Sequence, residues 1–171
     1  MYSKQEASQV RQRFWTGFGQ YIAPVPSAEG TRINWINYKT AVKGIRIRMD
    51  VDKKAAYIGM EIFSKDPELR QAYYNCFLSL KPAFERIAGD DWIWDAVSVI
   101  QEQPVSRIFM QLENVNIFNE NTWPGIISFF KSRLIALDNF CVENKEIFEN
   151  LPKTHNLYYR IHPNPLGMNK G

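Results

Sequence analysis

Residues 33–62 read INWINYKTAVKGIRIRMDVDKKAAYIGMEI, and the way this stretch pairs with itself decides the fold of the chain. Its second half alternates. Ile45, Ile47, Met49 and Val51 are separated by Arg46, Arg48 and Asp50, and Ala56, Ile58 and Met60 by Tyr57 and Gly59, with Glu61 next. A period of two marks a half-buried strand. Residues 44–51 and 55–63 are therefore expected to form a hairpin around a polar turn at Asp52-Lys53. Pairing Val51 with Lys54 sets Ile47 opposite Ile58, Ile45 opposite Met60 and Met49 opposite Ala56, one apolar face. The other face carries Arg46, Arg48, Asp50, Tyr57 and Glu61. A one-residue slip would turn every apolar side chain outward, so the pattern fixes which residues share a face. The first half, residues 31–42, is rich in β-branched and aromatic residues and reads as one more strand.

Working outward, Ser3-Lys4-Gln5-Glu6 has the form of a capping box, and Ala7, Val10, Phe14, Phe18 and Tyr21 follow at helical spacing. A helix over residues 3–20 is expected, ending in the proline-rich segment 23–30. Asp66-Pro67 places an N-cap before a proline at the first helical position. Leu69, Tyr73, Phe77, Leu80, Phe84 and Ile87 continue a second helix to Gly89, and Pro82 should kink or split it near Leu80. Residues 92–100 and 105–112 read as a second hairpin, with a short segment 114–118 beyond. Asn121-Thr122 and Pro124 open a third helix with an apolar stripe of Ile126, Ile127, Phe130, Leu134, Leu137, Cys141 and Phe148. Strands joined by short turns are antiparallel. The expected architecture is a single α+β domain over residues 1–151, an antiparallel sheet of five to six strands with three main helices packed on it. Residues 152–171 are expected to be an extended or partly disordered tail, with residues 157–161 able to dock on the domain or on a second copy.

Composition excludes several classes of function. No apolar run approaches the roughly 20 residues that span a membrane, and the polar start MYSKQEASQVRQ has no secretory character. A cytoplasmic protein is expected. Cys76 and Cys141 fall on the apolar sides of helices and read as small buried hydrophobes in a reducing compartment. No Cys–His spacing suggests a metal site, and no phosphate-binding glycine loop or nucleophile elbow is present. No cofactor is expected. Trp92 and Trp94, near Asp90, Asp91 and Asp95, read as packing residues first and a ligand platform second.

The net charge of +3 is mild, but it is unevenly placed: residues 32–54 carry net +5 and the remainder net −2. Arg32, Lys39, Lys43, Arg46 and Arg48, interleaved with Trp35, Tyr38 and Tyr57, combine phosphate-binding cations with stacking rings. Sequence-tolerant nucleic-acid binding uses both. The bland alternative is a solvated sheet face. A third reading takes Asp50 and Glu61 as ligands of a divalent cation in a nuclease of the restriction-endonuclease-like kind. That site needs a lysine two residues after the Glu, where Phe63 stands, with Lys65 two residues late. The hairpin above also separates the two carboxylates by about six residues, or about 20 Å, too far for one ion. A structural homodimer, paired through a sheet edge or the tail, is a further alternative.

Several segments taken in order resemble a bacterial family known as domain of unknown function 4268. They are YSKQEAS at 2–8, Phe14-Trp15, APVPSAEG at 23–30, INWINYKT at 33–40 and WPGIISFF at 123–130, so the resemblance covers residues 2 to about 148. It implies a soluble accessory module, with related forms appended to restriction-endonuclease-like domains and working beside DNA-processing enzymes. It implies no catalytic residues. The expectation is a non-catalytic binding module with nucleic acid as the leading partner, and a protein partner or second copy as the alternatives.

Overall fold

Asp52 sets the register of the central hairpin. Its carboxylate accepts the backbone amides of Lys54 (2.7 Å) and Ala55 (3.0 Å), and its own amide donates to the Ala55 carbonyl (3.0 Å). An aspartate holding the amides two and three residues on occupies the first position of a turn. The turn is therefore Lys53-Lys54, one residue later than the alternation suggested. In the computed structural model, which describes residues 1–151, β1 (Ile45–Val51) pairs antiparallel with β2 (Ala55–Ile62), with Val51 opposite Ala56, Met49 opposite Ile58, Ile47 opposite Met60 and Ile45 opposite Ile62. The pairing is displaced by two residues from the expected one. Two is the period of the pleat, so the faces are unchanged. Arg46, expected diagonal to Glu61, stands directly opposite it.

The sheet has four strands in the order β1-β2-β4-β3, all neighbours antiparallel, with β3 at Ile93–Ile100 and β4 at Gln103–Glu113. The expectation of five to six is corrected at two places. Residues 31–42 are not a strand. Asn34 turns the chain by accepting the Asn37 amide (3.2 Å), Ala41 has φ +62°, and Gly44 has φ +90°. Side-chain anchoring overrides the strand propensity of this segment. Residues 114–118 run beside the β1–β2 turn, where Val115 and Ile117 donate to the Lys54 and Asp52 carbonyls, but form no ladder. The β3–β4 ladder shifts register between Asp95 and Ser98, a bulge on the free edge strand.

Four α-helices and one 3-10 turn stand in place of the three expected helices, and residues 145–151, past a turn at Asn144, are helical as well among the described residues. α1 (Lys4–Ile22) begins with the capping box read from Ser3 and Glu6. Asp66 caps α2 (Pro67–Ser79), and the chain breaks at Leu80, two residues before Pro82, into α3 (Lys81–Ala88), which stops at Gly89. The break lets Phe84 meet Trp92, Trp94 and Phe140, each with ring centroids 5.0–5.4 Å away and near edge-on. A 3-10 turn (Glu120–Thr122), capped by Asn119, leads into α4 (Trp123–Glu143). The Thr122 hydroxyl serves the Asn116 and Asn119 carbonyls and makes no cap. Trp123 packs edge-on against Phe14 and donates to the Ile117 carbonyl (2.7 Å).

One face of the sheet, with Ala56, Ile58, Met60, Ile62 and Ile108, joins Phe14, Phe18, Phe130, Leu134 and Phe140 of the helices in the main core. α4 lies against β2, and α2 against β4. Tyr57, Val105 and Phe109 are also buried, but outside that core, on the face that no helix covers among the described residues. The tail expectations concern residues outside those described.

Candidate functional site

Glu61 lies in the middle of that helix-free face. β2 is an inner strand, so Glu61 has Arg46 opposite on β1 and Arg107 opposite on β4. Its side chain is 0% exposed. One carboxylate oxygen accepts Arg46 Nε (2.9 Å), and the other accepts Arg48 Nε (2.9 Å) and Tyr57 Oη (2.8 Å). A carboxylate out of reach of water persists only if paired and hydrogen-bonded in this way. Burial works against the Arg48 charge, but the hydrogen bond and charge of Glu61 outweigh it and raise the guanidinium pKa above its usual value. The Tyr57 phenol is pushed up to about 12, first by burial and then by the Glu61 charge. It is a fixed donor at any ordinary pH.

Tyr57 reaches Glu61 along its own strand, passing over Gly59. A Cβ at position 59 would lie 2.4 Å from Tyr57 Oη and 3.1 Å from the Phe109 Cβ. Gly59→Ala is therefore expected to expel the Tyr57 ring and break its hydrogen bond to Glu61. The cost should be about 2 kcal/mol, measured by urea unfolding. A second change, Tyr57→Ala, should then add less in the Gly59→Ala background than in the wild type, because the contact is already lost.

Each arginine of the face lies over an aromatic ring. Arg46 covers Phe63 at 4.5 Å, Arg48 covers Tyr57 at 4.5 Å, and Arg107 covers Phe109 at 3.8 Å. Arg48 also approaches Asp50 (3.5 Å), and Arg107 Nε stands 3.6 Å from Asp95, buried and without a hydrogen-bond partner among the described residues. Arg46, Arg48 and Arg107 thus face Glu61, Asp50 and Asp95, and the centre of the face is electrically balanced. Uncompensated charge lies at its margin.

The structure separates the residues that the sequence placed in one strip. Arg46, Arg48 and Tyr57 share the helix-free face. Arg32, Trp35, Tyr38, Lys39 and Lys43 belong to the 23–44 loop, which folds back on α4. Trp35 is 2% exposed, donates to the Val25 carbonyl (2.8 Å) and stacks on Tyr38. Tyr38 donates to Asp138 (2.7 Å), whose other oxygen accepts the Ala28 amide (2.6 Å). Neither ring is a free stacking platform, nor is Tyr57, which is buried. Arg32, Lys39 and Lys43 are exposed.

Asp138 was not anticipated, although it is the one acid on the apolar stripe of α4, between Leu137 and Cys141. It is buried. Burial raises the Tyr38 pKa, with Cys141 and Asp138 adding to it, and burial pushes the Cys141 thiol up to about 12. A thiol held protonated is no nucleophile. A cavity of about 320 Å³ opens beside these groups, lined by Asn34, Asn37, Lys39 and Thr40 and by the Glu29–Lys145 ion pair (2.8 Å). Both Asp138 oxygens are already engaged by the chain's own donors. Arg107 and Phe109 were also missed, because the alternation of β1 and β2 says nothing about which strand lies on the far side of β2.

Asp50 and Glu61 stand four residues apart along the ladder, about 14 Å. Asp50 accepts the Val51 amide (2.8 Å), and both carboxylates are engaged by guanidinium groups. Among the described residues no group of three or more His, Cys, Asp or Glu side chains is placed to hold a metal ion, and no helix is long and apolar enough to cross a membrane.

No curated protein and no solved structure matches the chain. The family model described as Domain of unknown function (DUF4268) matches residues 10–145, from within α1 to just past the end of α4, taking in the whole sheet and both clusters described above. The chain belongs to that family.

Proposed function

We propose that the chain is a non-catalytic module that binds nucleic acid through backbone phosphates along residues 32–65. The observation that carries this reading is where unpaired cations lie. Arg13, Lys81, Arg86 and Lys145 are each held by a carboxylate, while Lys4, Arg11, Arg70, Lys131 and Arg133, which make no ion pair among the described residues, are scattered over three helices. Arg32, Lys39, Lys43 and Lys65 are exposed and make no ion pair among the described residues. Exposed cations of this kind, concentrated in one stretch of the chain, are what a phosphate backbone recognises. The engagement of Asp50 and Glu61 by arginines supports binding over metal-dependent cleavage. We place the module in the cytoplasm, where the free thiols Cys76 and Cys141 stay reduced.

Fluorescence anisotropy with labelled DNA and RNA tests this. The affinity of a module making about three phosphate contacts should fall with salt at a log–log slope of about −2 to −3. Lys39→Glu/Lys43→Glu should weaken binding without changing the unfolding midpoint, because both side chains are exposed. Absence of binding at low salt would sink the reading, and cleavage in added magnesium or manganese would replace it with the nuclease one. A second reading, self-association, rests on Ile93, Val97 and Val99, which are exposed on the edge strand β3. Light scattering distinguishes it.

A further inference from the structure

Gly44 brings two distant lysines to one corner of the sheet. Its carbonyl accepts the Phe63 amide (2.8 Å), and a Cβ built on it would touch Ser64 (3.6 Å). Lys43 and Lys65, the residues just beyond each of these, therefore flank the end of the β1–β2 ladder. Arg46 and Phe63 lie beside them, the guanidinium 4.5 Å over the ring. Arg46 commits its Nε to Glu61, and its terminal nitrogens have no partner among the described residues. The acid next in the chain, Asp66, turns its carboxylate to the Glu68 and Leu69 amides as a helix cap. Phe63 is 38% exposed, whereas the other rings of this face, Tyr57 and Phe109, are buried.

We propose that this corner is the subsite for an unpaired nucleotide of a single-stranded nucleic acid, with the base stacked on the Phe63–Arg46 pair and the flanking phosphates held by Lys43, Lys65 and the Arg46 terminal nitrogens. The inference rests on the nucleic-acid reading above and narrows it. A duplex offers this corner phosphates only, since its base faces are stacked on one another. A single strand offers both phosphate and base face, and the corner presents a partner for each. Arginine is suited to the double role because its planar group can lie on a ring and still donate from its edge. Glu61 acts here as a positioning residue, holding the inner edge of Arg46 so that the outer edge faces the strand.

The test compares a labelled oligothymidylate with a duplex of the same length, binding to the full chain. Phe63→Ala should weaken single-strand binding about tenfold and duplex binding by less than about twofold. Phe63→Leu keeps an apolar bed under Arg46 but removes the aromatic plane, and should show the same selective loss with an unchanged urea midpoint. Phe63→Tyr should bind as the wild type does. Lys43→Ala/Lys65→Ala should weaken both ligands and make the salt slope shallower by about one to two. If Phe63→Leu retains single-strand affinity, or loses both ligands equally, the subsite is wrong while the nucleic-acid reading stands. If the wild type binds neither ligand at low salt, both fall together.

Discussion

Glu61→Ala is expected to lower folding stability by about 3–5 kcal/mol, seen as a fall in the urea midpoint at unchanged slope. The carboxylate satisfies three donors at 2.8–2.9 Å in a site closed to solvent. The donors do not lose equally. The Arg46 side chain is 43% exposed and can turn its group to water, so its share is small. Arg48 is 26% exposed and lies against Tyr57, and the Tyr57 hydroxyl is buried over Gly59. Most of the cost falls on these two. Glu61→Gln keeps one acceptor and the shape, and should cost about half as much. Replacing the group as a whole by apolar side chains, Arg48→Met/Tyr57→Phe/Glu61→Leu, should recover most of the loss, because no unpaired polar group is then left buried. A Glu61→Ala variant within about 1 kcal/mol of the wild type would mean that the ionic cluster contributes little to stability.

Asp138→Ala should release the 23–44 loop. Two donors from that loop, the Ala28 amide and the Tyr38 hydroxyl, end on this carboxylate, and Trp35 is stacked behind Tyr38. Losing the charged acceptor of two part-buried hydrogen bonds should cost about 2–3 kcal/mol. The loss is local, because the loop has no ladder to hold it. Trypsin should then cut the variant at Arg32, Lys39 and Lys43 at least about tenfold faster than the wild type, if the clasp contributes at least 1.4 kcal/mol to loop closure. Far-UV dichroism should show α1 to α4 retained. Equal cleavage rates in the two proteins would exclude Asp138 as the clasp. Asp138→Asn can still accept from Tyr38, but its amide would face the Ala28 N–H, so an intermediate rate is expected.

Local chemistry was legible in the sequence wherever a short-range rule decides the outcome. Ser3 and Glu6 cap α1, Asp66-Pro67 opens α2, Gly89 ends α3, and the alternation from Ile45 to Glu61 assigned each side chain to its proper face. The errors have a common cause in contacts between residues far apart or side chains bonding to backbone. The Asp52 carboxylate moved the turn by one residue and so brought Arg46 opposite Glu61, which the alternation alone leaves undetermined. The 31–42 segment has strand-like composition, but its Trp and Tyr are spent on Val25 and on Asp138, a hundred residues from Tyr38. Of the candidate site, Arg46, Arg48 and Tyr57 were recognisable as neighbours. Arg107 and Phe109 were not, since their place depends on β4 lying beside β2.

The two borders of the sheet differ in what they offer to another strand. β1 carries Arg46, Arg48 and Asp50 along its length, charges that an approaching backbone would have to strip of water. β3 has fewer charges and more exposed valine, yet its rhythm of hydrogen bonds is interrupted between Asp95 and Ser98. A strand arriving there could keep step for only a few residues before its donors and acceptors fell out of phase. Growth of the sheet from molecule to molecule is thereby disfavoured on both sides, by charge on one and by broken periodicity on the other, so that self-association through Val97 and Val99 would pack side chains rather than extend the ladder.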